Sequence, residues 1–170
     1  MLPAVSFGER DYLIILAALL FGRLMDLAST RVATPTMLLE GNPIARRLGW
    51  RWGVVVNLLM CFGLAFWPLA GVIVTTTSLL VASRNFKGAW MMRSMGEERY
   101  LIFMLNQMRV TSWGLLLVCL LGETLLVGAI GAVLIAFSPE PSIPLGVGGG
   151  ILAYAVAVLF YSCLSLWKAR

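Results

Sequence analysis

The side chains best equipped for chemistry are ionisable and amide groups inside otherwise apolar runs. Arg23, Asp26 and Thr30 follow one another at intervals of three and four, which sets them on one stripe of a helix. A lone charge at that depth in a membrane is expensive, so such groups face protein or water and pair with one another. Arg23 and Asp26 can form an intrahelical ion pair that locks this helix against its neighbours. The same Asp26 can instead belong to a polar site completed by Glu40 and Asn42, fourteen and sixteen residues further on. Asp26, Glu40 and Asn42 together offer hard oxygen ligands, which suit a divalent cation such as Mg²⁺, Ca²⁺ or Mn²⁺, and equally suit protons or a cationic headgroup. Asn42 followed by Pro43 also reads as a helix start, with Asn as the cap and Pro in the first turn, and Glu40 gains from the same helix dipole. Two further polar groups fall inside apolar runs. Asn57 shares a face with Cys61, and Glu123 shares a face with Leu116 and Cys119. Glu123 is a candidate partner for Arg23 across a bundle, or a proton-carrying carboxyl. The polar intramembrane set is therefore Arg23, Asp26, Thr30, Asn57 and Glu123.

Several kinds of catalysis are excluded by composition. The chain has no histidine, so imidazole triads and imidazole metal sites are out. Cys61, Cys119 and Cys163 sit singly in apolar runs without CxxC spacing and read as small hydrophobes. HExxH, GxSxG and P-loop patterns are missing, as are the paired Asp-rich motifs of lipid-headgroup transferases. The glycines of 146–150 open an apolar helix and lack the Lys and Ser/Thr of a phosphate cradle.

The elements that must position these groups are membrane helices. Of 170 residues, 60% are hydrophobic and 12% charged, against about 25% charged in a soluble domain. The pattern predicts an all-α, polytopic membrane bundle in one domain, with about four spans at 12–32, 53–83, 110–137 and 146–167. Charges 9–11 and the interruption at Arg23 and Asp26 fit a retained first span rather than a signal peptide. The 53–83 stretch carries Pro68 near its middle. It reads either as one kinked span or as two half-helices meeting at Trp67-Pro68, a re-entrant hairpin; about 40 apolar residues would be needed for two full spans. Segments 43–52 and 84–108 mix Arg with Trp and Met, as interfacial amphipathic helices do. Gly149, Ala153 and Ala157, four apart, form a small-residue face on the last span.

Thirteen Lys and Arg against eight Asp and Glu give a net charge of +5, which reads as membrane topology rather than nucleic-acid binding. With four spans, the N-terminus, the 84–109 segment and the C-terminus share a side carrying eight basic residues against four. If 53–83 returns to the side it left, the first loop joins the basic side and the count becomes eleven, Arg10 lying opposite and Arg23 within the membrane. Charge favours the second arrangement and segment length the first. Both put 84–109 and the C-terminus in the cytoplasm.

Asp26-Leu27-Ala28-Ser29-Thr30 followed by Glu40-Gly41-Asn42-Pro43-Ile44 resembles the signature of an uncharacterised family of small prokaryotic membrane proteins. Its members carry an Asp with following Ser or Thr late in the first helix and an E-x-N-P tetrapeptide before the second. The resemblance spans roughly residues 12–82 and implies a prokaryotic inner membrane and joint action of Asp26, Glu40 and Asn42. Where the family often has a Lys in the second helix, this chain has Asn57. The expected function is that of an accessory or assembly subunit, with membrane lipids and other membrane subunits or further copies as partners. The rival is an autonomous membrane enzyme or ion carrier built on Asp26, Glu40 and Asn42.

Overall fold

A computed structural model describes residues 4–169. The described chain is all-helical: α1 Arg10–Ala33, α2 Pro43–Leu64, α3 Pro68–Met95, α4 Glu97–Val110, α5 Trp113–Phe137 and α6 Ile143–Ala169. Four stretches, Arg10–Ala33, Pro68–Met95, Trp113–Phe137 and Ile143–Trp167, are long and apolar enough to cross a membrane.

The helix boundaries follow local chemistry. Asn42 caps α2, its Oδ1 accepting from the Ile44 N–H at 2.9 Å and the Ala45 N–H at 3.4 Å, with Pro43 in the first turn. Ser112 caps α5 by accepting from the Leu115 N–H. The stretch 53–83 is not one kinked helix. Pro68 cannot continue the helix before it, so α2 ends at Leu64 and α3 begins afresh at Pro68. Each new helix gains length from its flank: α2 reaches back to Pro43, and α3 runs on through Arg84 and Lys87 to Met95. The expected interfacial segment 84–108 is therefore half a continuation of α3, and only Glu97–Val110 is a separate helix. The segment 43–52 opens α2 and is set off from the rest by a break at Gly49, whose φ of 67° is left-handed and suits glycine.

α1 and α3 lie side by side and parallel. Gly71 packs on Ile15, Gly22 on Thr75, and Asn85 bonds Thr30, so residue numbers rise together along the two helices. α2 runs antiparallel to both and reaches from one end of α1 to the other. Trp50 lies beside Arg31, Asn57 beside Arg23, and Cys61 and Ala65 pack on Tyr12 and Leu19. At the amino-terminal end Tyr12 Oη donates to the Phe62 carbonyl at 3.4 Å and the Val5 N–H to the Phe66 carbonyl at 3.0 Å. α5 and α6 form an antiparallel hairpin that meets at Gly131 and Gly148. α6 runs parallel to α3, with Thr77 Oγ1 donating to the Gly150 carbonyl at 3.0 Å.

The close approach of α6 uses Gly146 and Gly150 toward α3 and Gly148 toward α5, where an added Cβ would meet neighbouring atoms at 2.6 to 2.9 Å. The expected face of Gly149, Ala153 and Ala157 does not carry it: Gly149 only approaches the end of Ile73, and Ala153 is exposed. The buried core is small, and the outward faces stay apolar, as with Leu126 at 72% and Phe137 at 85% exposure. Lipid is the natural solvent for them.

This arrangement sorts the charges by end. Arg31 closes α1, Arg46, Arg47 and Arg51 open α2, Arg84, Lys87 and Arg93 sit on the later half of α3, and Arg99 and Arg109 are on α4. All lie toward one end, called the basic end below.

Candidate functional site: a polar seam between the first three helices

Arg23 is the hub of the seam. Its Nη1 donates to Asp26 Oδ2 at 2.8 Å and to Ser78 Oγ at 3.0 Å, and its Nε donates to Asn57 Oδ1 at 2.6 Å. One guanidinium thus ties α1 to both α2 and α3, and the ion pair is largely shielded, with side-chain exposures of 23% and 16%. Asn57 completes itself by donating from Nδ2 to the Gly53 carbonyl at 2.7 Å. The helix spacing that put Arg23 and Asp26 on one stripe produces the pair. The parallel packing of α1 on α3 and the antiparallel return of α2 supply Ser78 and Asn57 at the same depth.

One turn toward the basic end, the Ser29 Oγ donates to the Asp26 carbonyl at 2.8 Å. Asn85 Nδ2 then donates to Ser29 Oγ at 3.2 Å and Thr30 Oγ1 at 3.1 Å. Beyond them a cavity of about 90 Å³ is lined by Thr30, Thr34, Glu40, Gly41, Asn85 and Met92. Glu40 reaches it from the α1–α2 connection. Glu40 Oε1 also accepts from the Asn42 N–H at 2.8 Å.

The connection itself is held down by Glu97, the first residue of α4. Its carboxylate accepts from the hydroxyls of Thr34 and Thr36 and from the Thr36 N–H, the last at 3.1 Å. Partial burial works against ionisation of Glu97, but hydrogen bonds from Thr34, Thr36 and the Leu38 backbone outweigh it and hold its pKa below the ordinary carboxylate value.

Of the sequence-derived set, Arg23, Asp26 and Asn57 meet in one network and Thr30 adjoins it. Glu123 does not. It pairs with Arg84 at 2.9 Å on the other side of α3, both side chains nearly half exposed. Of the oxygen-rich trio, Glu40 lines this cavity, Asp26 is held in the Arg23 network, and the Asn42 side-chain Oδ1 is engaged as the α2 cap. Among the described residues no three carboxylate or thiol side chains converge as a metal set. Ser78, Asn85 and Glu97 were missed from the sequence. Ser78 and Asn85 are seven apart, hence on one face of α3, and that spacing was the available signal.

No protein-family model, curated protein or solved structure matches this chain.

Proposed function

We propose that this chain is an accessory or assembly subunit of a larger membrane complex, in a prokaryotic inner membrane. The observation that carries the reading is the cross-helix network of the seam: Arg23 is bonded to Asp26, Asn57 and Ser78, and Asn57 to its own helix. A polar network that bonds three helices together favours one packing of them. What such a chain then offers a partner is its outward apolar surface, of which α5 has the most. Purification of the tagged chain from its native membrane in mild detergent, with co-purifying chains identified by mass spectrometry, tests this. Stoichiometric recovery of other membrane subunits supports it; recovery of the chain alone overturns it.

The same proposal includes an orientation. α2 returns the chain across the full depth of the bundle, so α1, α2, α3, α5 and α6 make five passes, with the basic end in the cytoplasm by the positive-inside rule. α2 is shorter in apolar residues than its neighbours because its first turns carry three arginines suited to the headgroup layer.

A second reading draws on the cavity near Thr30. Glu40, two hydroxyls and the Asn85 amide surround a space large enough for a few waters or a hydrated cation. In that reading the chain is an autonomous ion carrier or enzyme, and Asp26 and Glu40 hold a divalent cation or protons. Metal analysis of the purified chain and of its Glu40→Gln variant separates the two: stoichiometric metal lost in the variant selects this second reading.

A further inference from the structure

α1 and α2 touch at both ends and are bridged midway by the Arg23–Asn57 hydrogen bond, and they leave a groove along that bridge. The groove left there has a volume of about 460 Å³, within the range of about 300–1,000 Å³ typical of small-molecule sites. Leu20, Leu24 and Ala28 form one wall, and Val54, Leu58 and Cys61 the other. It opens outward, toward the lipid-facing side, with Leu24 59% and Leu58 43% exposed. From Leu20 to Arg31 it follows eleven helical rises, about 16 Å at about 1.5 Å each. That is close to one leaflet of a hydrocarbon core about 30 Å thick.

The mouth at the basic end has a different chemistry. Arg31 stands over the Trp50 ring, its Cζ 4.9 Å from the centroid, and Nη1 donates to the Pro35 carbonyl at 3.3 Å. Trp50 Nε1 donates to the same carbonyl at 2.9 Å, so ring and guanidinium are fixed together. The ion pairs among the described residues are Arg23 with Asp26 and Arg84 with Glu123, and Arg31 takes part in neither. Arg46, Arg47 and Arg51 flank Trp50 in the chain, and Glu40, the lone acid of residues 31–52, is turned into the other cavity. A leaflet-deep apolar groove thus ends at a fixed cation in a basic surround, at the level of an aromatic anchor.

We propose that this groove seats one acyl chain of an anionic phospholipid, with the lipid phosphate on Arg31. The charge of the mouth selects the headgroup, and the length of the groove selects a membrane lipid rather than a free phosphate. The site is independent of whether the chain joins a larger complex.

Native mass spectrometry of the delipidated protein in detergent, titrated in parallel with phosphatidylglycerol and phosphatidylcholine, tests it. The unmodified chain should retain one phosphatidylglycerol in clear preference to phosphatidylcholine. Arg31→Gln, a change at an exposed position, should lower that preference about fivefold, as about 1 kcal/mol per basic residue implies. Ala28→Phe should remove retention of both lipids by filling the groove, and Arg93→Gln, at the same end but away from the groove, should change nothing. Equal retention of the two lipids by the unmodified chain overturns the proposal. So does a preference that survives Arg31→Gln, or a second copy of the chain displacing lipid in proportion to its concentration.

Discussion

At the scale of residues, the Arg23–Asp26 pair is the feature whose removal discriminates most. Taking away one partner leaves the other charge uncompensated in a shielded place, so Asp26→Leu should cost about 3–5 kcal/mol. Arg23→Leu combined with Asp26→Leu should cost less than Asp26→Leu alone, because no orphan charge remains; thermal unfolding in detergent reads the difference. A double variant that inserts and folds, yet loses the activity the unmodified chain supports in its membrane, would move Asp26 from packing to chemistry. Glu97 gives a pH-dependent counterpart outside the membrane segments. Its folded pKa is lowered, so its contribution is fully present above the unfolded value of about 4.3 and is lost as pH falls through the folded value. Hydrogen exchange over residues 34–39, corrected for intrinsic rates, should stay slow down to that range and quicken below it. Glu97→Gln should show the quick exchange at neutral pH. The sequence made Arg23, Asp26 and Thr30 legible because helical spacing is local. Asn57 was legible as a polar residue in an apolar run, but its bond to Arg23 depends on where α2 returns. Glu97 was hidden for the opposite reason: it stands in a charged segment, where nothing marks one carboxylate as the clasp of a loop sixty residues earlier.

At the scale of elements, close helix approach is set by particular glycines rather than by small-residue spacing in general. A Cβ on Gly150 would lie 2.7 Å from the Ile73 carbonyl oxygen and 2.6 Å from Thr76 Cβ, atoms that cannot swing aside. Gly150→Ala should therefore destabilise by about 1–3 kcal/mol through forced separation of α6 from α3. Gly122→Ala, on α5 with open space around it, should be neutral or stabilising by up to about 1 kcal/mol, since a helix gains from the loss of glycine. Unfolding midpoints of the two variants, measured side by side, check the sign of each. The stripe of Gly149, Ala153 and Ala157 was as visible in the sequence as Gly146 and Gly150. Both sets have the spacing of four, and the choice between them depends on the rotation of α6 about its axis. That rotation is fixed by contacts with α3 and α5 that no local pattern encodes. Pro68 was likewise visible as a break, but not which of its two consequences would follow. The span lengths decide that, and they include residues 84–95, whose charges disguise the end of a long helix as a separate interfacial one.

At the scale of the whole molecule, the number of passes decides where the two termini lie. Four passes with a single kinked 53–83 segment place the N-terminus, residues 84–109 and the C-terminus on one side. The proposed five passes rest on the register of α2 against α1: Trp50 at Arg31, Asn57 at Arg23 and Phe62 at Tyr12 descend the whole length of the first helix. On that proposal the start of α1 lies opposite the end of α6, together with the 65–67 turn and the 138–142 turn. Charge pattern pointed this way from the sequence, since eleven of thirteen Lys and Arg then share a side. Apolar length pointed the other way, because the arginines of α2 shorten its apolar run without shortening the helix. Impermeant maleimide labelling of single cysteines in intact cells, in a background with Cys61, Cys119 and Cys163 replaced, decides it. Cysteines at Ser6, Trp67 and Glu140 should label from outside. Cysteines at Met37, Asn106 and Ser112 should label only after the membrane is opened. Protection of Ser6 together with Asn106 would restore four passes. It would also contradict the parallel packing of α1 and α3, which needs α2 to return the chain between them.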